Sequence, residues 1–239
     1  MKKDNSIHFH TCIVKIGCCG FPVGMKKYFE RFNVVEIQKT FYKIPEIKTA
    51  RKWREKAPKN FEFTLKANQI ITHSLSSSTY RKMKIKPDNA GFFKNIEEVF
   101  DAYKKTREIG KILDTKIILF QCPPSFKQTD ENIENMKNFF NSISRDFVFA
   151  WEPRGKWDEK TVKKTCKELG LVHCIDPFKN RQVYGDFGYF RLHGIDGYRY
   201  RYSDKELKKL TQICKRNYYV FFNNVYMHEE ALRFKGMIK

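Results

Sequence analysis

Polar and charged side chains recur in this chain directly after short apolar runs, and their types suit acid–base chemistry and anion binding. Glu36 follows Val34-Val35, Lys66 follows Phe61–Leu65, and Gln121 follows Ile117–Phe120. Glu152 and Arg154 follow Phe147–Trp151, Asp176 follows Leu171–Ile175, and Asn223-Asn224 follow Tyr218–Phe222. Arg191 and His193 come after Tyr189-Phe190. The pairs Glu152/Arg154 and Arg191/His193 have alternate-residue spacing, which puts each pair on one face of a strand. A carboxylate at a strand end serves as general base, metal ligand or partner of a cation. Arginine clamps phosphate or carboxylate at two points, and histidine titrates near neutrality. Glu152 is therefore expected as general base or metal ligand, His193 as its acid–base partner, and Lys66 and Arg191 as neutralisers of phosphate. An ion pair that holds the loop is the competing reading of Glu152 and Arg154, because fixed pairs are common near sites.

Two further features bear on the chemistry. Gly197-Tyr198-Arg199-Tyr200-Arg201-Tyr202 alternates aromatic and basic side chains, a pattern that stacks bases or sugars while neutralising phosphate. Tyrosines packed on a barrel rim are the equal alternative. Glu36, Glu152, Asp176 and His193 have the donor types of a divalent-ion site, but no His-Glu-x-x-His spacing accompanies them. A divalent metal stays open, and no residue is assigned as a ligand. Glycine-rich dinucleotide and phosphate loops are missing, as is a serine nucleophile elbow, so no nucleotide cofactor is expected.

The apolar runs are four to eight residues long and rich in β-branched and aromatic side chains, which reads as buried parallel strands. Strands are expected at 13–17, 34–37, 61–66, 117–120, 147–151, 171–175, 189–190 and 218–222. Helices fall between them: 25–32, 46–56 after Pro45, one or two within 92–113, and one striped by Ile133, Met136, Phe139 and Phe140. A further helix over 161–169 stops at Gly170, and another starts at Ser203 with the capping-box partner Glu206. Alternation through eight units predicts a single α/β domain over 1–239, a (β/α)8 TIM-barrel-like fold whose C-terminal strand ends converge on one mouth. Ser74–Gly91 interrupts the rhythm and reads as a lid-like insertion after the third strand. Its segment Arg81–Lys86 and the segment Tyr198–Tyr202 would flank the entrance.

The 239 residues suit one such barrel, and 41% hydrophobic composition supplies its core. The net charge of +20 favours polyanionic partners, against the plainer alternative of a solvated, lysine-rich helical surface. Seven cysteines with no Cys-x-x-Cys pair argue against a disulfide framework or zinc ribbon; Cys18-Cys19, at the end of the first strand, stand apart. His8 and His10 read as surface sequence. No apolar stretch approaches a membrane span and the first residues lack a signal-peptide core, so a cytoplasmic protein is expected.

Several stretches together carry a family resemblance. They are Ile16-Gly17-Cys18-Cys19-Gly20-Phe21, Val35-Glu36-Ile37-Gln38-Lys39-Thr40-Phe41-Tyr42, and Phe61–Ala67 with Ile71-Thr72-His73. Phe120-Gln121-Cys122-Pro123-Pro124-Ser125-Phe126, Trp151-Glu152-Pro153-Arg154 and Phe190-Arg191-Leu192-His193-Gly194 follow, then Tyr202-Ser203 with Glu206-Leu207, and Phe221-Phe222-Asn223-Asn224. In this order they resemble the domain-of-unknown-function 72 family, the YecE-like proteins. The resemblance implies a TIM-barrel-like fold and places Glu36, Lys66, His73, Gln121, Glu152, Arg191, His193 and Asn223 around the mouth. It implies no reaction, since none is assigned to the family. The chain departs from the family at Val225-Tyr226-Met227-His228, where relatives have an acidic residue and glycine, and at Phe21-Pro22-Val23, where many have tryptophan and tyrosine.

The expected function is an enzyme acting at the C-terminal mouth on a phosphate-bearing substrate, either nucleic acid or a phosphorylated metabolite. Glu152, His193 and Glu36 form its catalytic set, and Lys66, His73, Gln121, Arg154, Arg191, Tyr202 and Asn223 its binding set. A metal-assisted phosphodiester hydrolase is one concrete version, by analogy with other barrel nucleases. The rivals are a non-catalytic nucleic-acid-binding module and a sugar or sugar-phosphate isomerase or lyase walled by Trp151, Tyr42 and Tyr202.

Overall fold

Eight short parallel strands form the wall of a nearly closed barrel in the computed structural model, which describes residues 14–83, 87–214 and 217–238. They are β1 (Val14–Cys18), β2 (Val34–Ile37), β3 (Glu62–Lys66), β4 (Ile117–Gln121), β5 (Val148–Glu152), β6 (Leu171–Ile175), β7 (Gly188–Leu192) and β8 (Tyr218–Phe222). The order β1-β8-β7-β6-β5-β4-β3-β2 runs once round the barrel. A single parallel bridge between Cys19 and Glu36 joins its two ends, reinforced by the bond from the Gly20 N–H to the Glu36 carbonyl at 2.8 Å. Helices follow the strands: α1 (Met25–Phe29), α2 (Lys39–Tyr42), α3 (Ile47–Lys56), α4 (Gln69–Thr72), α5 (Glu97–Ile112), α6 (Asp130–Ser142), α7 (Glu159–Leu169), α8 (Asp204–Ile213) and α9 (Met227–Met237).

Side chains on one strand alternate between lumen and helices, so the strands are buried on both faces and read as nearly continuous apolar runs. Phe63, Leu65, Phe120, Phe149 and Trp151 pack outward on the helices. Val34, Leu119, Ala150, Cys174, Tyr189 and Phe221 fill the lumen. Polar layers cap this apolar plug at both ends. At the bottom, Glu62 accepts from Lys15 at 2.5 Å and from the Tyr219 hydroxyl at 2.8 Å. At the top stand Glu36, Lys66, Gln121, Glu152 and Arg191, one step further along their strands.

The local signals hold where they are chemically specific. Gly170 closes α7 with φ +60°, and Ser203 and Glu206 form the reciprocal capping box at the start of α8. Ser203→Ala is expected to cost about 1 kcal/mol, read as a melting temperature lower by roughly 2–4 °C. The long helix within 92–113 begins only at Glu97, because Gly91, Phe92 and Phe93 all have positive φ. Gly91 has no room for a side chain, since a Cβ there would lie 2.3 Å from the His73 carbonyl carbon.

The insertion after β3 is present and anchored. A 3-10 turn at Ser78–Lys82 buries Tyr80, whose hydroxyl donates to the His73 carbonyl at 3.0 Å. Lys84–Lys86, and with them much of the basic segment expected at the entrance, lie outside the described residues, as do Ile13, His8, His10 and Cys12. The short helices α2 and α4 and the closing helix α9 were not legible in the apolar spacing. The six described cysteines are all buried and unpaired. Among the described residues, no helix is long and apolar enough to cross a membrane.

Candidate functional site

Arg191, on β7, crosses the top of the lumen and is wholly buried. Its Nε and Nη2 reach Glu36 Oε1 on β2 at 3.0 and 2.9 Å, and its Nη1 reaches Glu152 Oε2 on β5 at 2.5 Å. Nη1 also donates to Gln121 Oε1 at 3.4 Å, and Nη2 to Gln38 Oε1 at 3.4 Å. Glu36 is further held by the Tyr189 hydroxyl at 2.7 Å, the Cys19 thiol at 3.2 Å and the Gln38 amide. Burial opposes the charge on Arg191, but Glu36 and Glu152 outweigh it and raise its pKa well above the ordinary value. Burial and the Glu36 carboxylate push the Cys19 thiol well up, so it serves as a neutral donor.

The cluster continues to the surface through Glu152. Its Oε1 accepts from Arg154 Nε at 2.9 Å. Burial would raise the Glu152 carboxyl, but Arg154, Arg191 and His193 outweigh it and hold the group far below the carboxylate range. Arg154 also donates to His193 Nε2, which makes that nitrogen an acceptor and leaves the ring proton on Nδ1, 3.9 Å from Asp176 Oδ2. Burial, with Arg191 and Arg154 opposing Glu152, lowers His193 to about 3. Asp176 accepts from the backbone N–H groups of His193 and Phe178, each at 3.1 Å. Burial nevertheless raises its pKa against these bonds and Lys179.

Beside this row, at the ends of β5, β6 and β7, opens a cavity of about 410 Å³ lined by Glu152, Arg154, His173, Asp176, Lys179 and His193, among others. Arg154 is a third exposed and spends Nε on Glu152 and Nη2 on His193. Its Nη1 makes no hydrogen bond among the described residues.

The structure thus brings together Glu36, Gln121, Glu152, Arg154, Arg191 and His193. It sets two expectations aside. Arg191 has no surface left for a phosphate, because two carboxylates consume its donors. Tyr202 is 1% exposed, with its ring stacked on Phe178 and its hydroxyl accepting from the Gly194 N–H at 2.9 Å. It supports the loop behind His193 and offers no stacking face. Of its basic–aromatic segment, Arg201 is paired with Glu229 and Tyr200 donates to Glu206, leaving Tyr198 and Arg199 as the exposed remainder. Asn223 is half-buried and ties β8 to β7 through its N–H to the Leu192 carbonyl at 2.8 Å. His73 is buried against Phe41, its Nδ1 2.8 Å from the Thr72 hydroxyl, and burial with Lys66 and Arg154 lowers it to about 3.

The four residues weighed as metal ligands do not form a ligand set. Arg191 stands between Glu36 and Glu152, where an ion bridging them would sit. Among the described residues, no group of three or more His, Cys, Asp or Glu side chains is arranged to hold a metal. Gln38, Tyr189, His173 and Lys179 were missed as members of the site. By sequence Asp176 is a strand end and a possible metal ligand but not a member of the catalytic or binding set, although its strand-end position is the same signal that marks Glu152.

Residues 22–238 match the model of the family described as "Protein of unknown function DUF72". The chain belongs to this family. This DUF72 chain is 26% identical over 241 residues to UPF0759 protein YunF of Bacillus subtilis (strain 168), covering 84% of this chain and 80% of that protein. The crystal structure of a DUF72 family protein from Enterococcus faecalis V583 superposes with a TM-score of 0.74 at 20% identity, over 95% of this chain and 98% of the other. One from Thermotoga maritima MSB8 gives 0.70 at 25% identity, over 94% and 98%. Outside the family, the same barrel occurs in endonuclease IV from Thermus thermophilus, with a TM-score of 0.54 at 8% identity over 93% and 97%, a likeness of fold alone.

Proposed function

We propose that the DUF72 barrel binds a phosphate-bearing substrate, nucleic acid or a phosphorylated metabolite, in the cavity at the ends of β5, β6 and β7, and acts on it there by acid–base chemistry. Arg154 carries this reading. A buried carboxylate fixes one edge of its guanidinium, a neutral histidine takes a second donor, and the remaining donors stay free beside the cavity. An arginine held in this way meets phosphate oxygens with little loss of side-chain freedom. Lys179 adds a second cation on the same wall. Asp176, on the cavity wall with its carboxyl raised by burial, is the group assigned as proton donor and acceptor. Glu152 serves as the anchor of two arginines, a part its depressed pKa fits better than that of general base. The buried, unpaired thiols support a reducing, cytoplasmic setting.

The test is fluorescence anisotropy with a labelled single-stranded oligonucleotide across a salt series, with inorganic phosphate as competitor. Arg154→Ala is expected to weaken binding about tenfold and to lower the salt slope by about one. Steep salt dependence that is the same in both proteins would instead assign binding to the surface charge and overturn the cavity as the site.

A further inference from the structure

Among the described strand-end residues of the mouth, Lys66 is the cation that the ion-pair network leaves out. It ends β3 in the same layer as Glu36 and Glu152 and is 6% exposed. Buried lysines are ordinarily paired. The nearby carboxylates are already spent, Glu36 on Arg191, Tyr189 and Gln38, and Glu152 on Arg191 and Arg154. Among the described residues no side chain or carbonyl hydrogen-bonds the Lys66 ammonium. Its Nζ lies 3.6 Å from the centroid of the Phe41 ring, a face that attracts a cation only modestly and accepts no hydrogen bond of ordinary strength.

We infer that Lys66 is a carbonyl-trapping nucleophile: from its seat on the Phe41 ring, free of any carboxylate, its Nζ forms a protonated imine with an aldehyde or ketone that carries a phosphate. The phosphate half of this substrate rests on the reading of Arg154 above; the imine half does not. The surroundings favour the amine. Burial is the largest influence, Arg191 and Arg154 repel the ammonium, Glu152 and Glu36 attract it less, and the group is lowered to about 7. His73, which also packs on Phe41, is neutral at that pH. About half of the Lys66 side chains are then free amine at neutrality, against roughly one in a few thousand for a solvated lysine. Desolvation and neighbouring cations are the general means of activating imine-forming lysines. The neutral Nζ adds to the carbonyl carbon and a C–N bond forms. One amine proton moves to the oxygen, a second proton comes from solvent, and the oxygen leaves as water. The product is a protonated imine, formed with net uptake of one proton and no oxidant. Its positive charge then draws electrons from the adjoining carbon, which is the property that aldol, isomerisation and elimination chemistry use.

The experiment uses the full chain at pH 7 with glycolaldehyde phosphate or glycolaldehyde as probe, reduced by borohydride and mapped by peptide mass. Lys66 is expected to be modified on the order of 100-fold faster than the mean surface lysine, with a rate that is half-maximal near pH 7. Lys66→Arg should lose this fast site. Lys66→Met, of similar volume and uncharged, repeats the control should arginine disturb the packing. Modification of Lys66 no faster than that of surface lysines, or a fast site that persists in both variants, overturns the proposal. Faster reaction with the phosphorylated probe supports both halves. Equal rates at Lys66 with the two probes keep the imine and remove the phosphate. Phosphate binding that depends on Arg154 without any fast site at Lys66 overturns the imine alone.

Discussion

Arg191→Met should lower the free energy of unfolding by about 3–5 kcal/mol, the range for removing one member of a buried, hydrogen-bonded charge cluster. Methionine fills much of the arginine stem, so the loss comes chiefly from Glu36 and Glu152, left 0% and 5% exposed without their shared cation. The Tyr189 hydroxyl and Gln38 would remain on Glu36, and Arg154 on Glu152, which keeps the cost short of that of two bare buried ions. Urea unfolding measures it as a lower midpoint with an unchanged slope. Neutralising the carboxylates in the same background, as Glu36→Gln with Glu152→Gln, should restore part of the loss, since neighbours in one network couple. A change below 1 kcal/mol in Arg191→Met would mean that the cluster is solvated and that the mouth is open far deeper than the burial of Arg191 implies. Arg191 is accordingly the wrong residue with which to test phosphate binding, because its loss acts through the fold.

Acid should destabilise this protein early, beginning below about pH 6.5, and the cause is histidine before carboxylate. Burial lowers His73 and His193 to about 3 and His173 to about 4, whereas all three titrate near 6.5 in an unfolded chain. The unfolded state therefore takes up protons between about pH 6.5 and 4 that the folded state refuses, and stability falls with pH across that window. Each histidine contributes up to about 1.4 kcal/mol per pH unit, so three together reach roughly 4 kcal/mol per unit. Glu152 adds its share lower down: its folded pKa is depressed, so its stabilisation is full above about pH 4.3 and fades as pH drops further. Lys66 acts at the other end. Lowered to about 7 from an unfolded value near 10.4, it makes stability rise from about pH 7 to 10. Urea midpoints at pH 5, 7 and 9 should increase in that order. His193→Gln should flatten the acid limb, and a midpoint equal at pH 5 and 7 would show that the three rings are accessible to protons in the folded state.

Much of the architecture was legible because its signals are local. Each strand is buried on both faces, so its apolar run appears unbroken in the sequence and ends where the chain leaves the barrel. That is why Glu36, Lys66, Gln121, Glu152, Asp176 and Arg191 could be located from neighbouring residues alone. Gly170 and the Ser203/Glu206 box were equally plain, since a helix end depends on three or four consecutive residues. The start of α5 was misjudged for a tertiary reason, the left-handed backbone at Gly91–Phe93 where the chain presses on the carbonyl of His73.

The parts played by those polar ends were decided by barrel closure. Arg191 meets a glutamate 155 positions away and another 39 away, and no local spacing reveals that both are spent on it. The same closure turns two carboxylates suited to a metal into the jaws of an arginine, and it holds His193 neutral between Arg154 and Asp176. It buries Tyr202, although its alternating basic neighbours suggest an open surface. It leaves Lys66 on an aromatic ring with no carboxylate to hold it. Side-chain type and strand position are properties of the sequence. Which charges cancel, and which group remains to react, depends on distances across the lumen that exist only once the eight strands have closed.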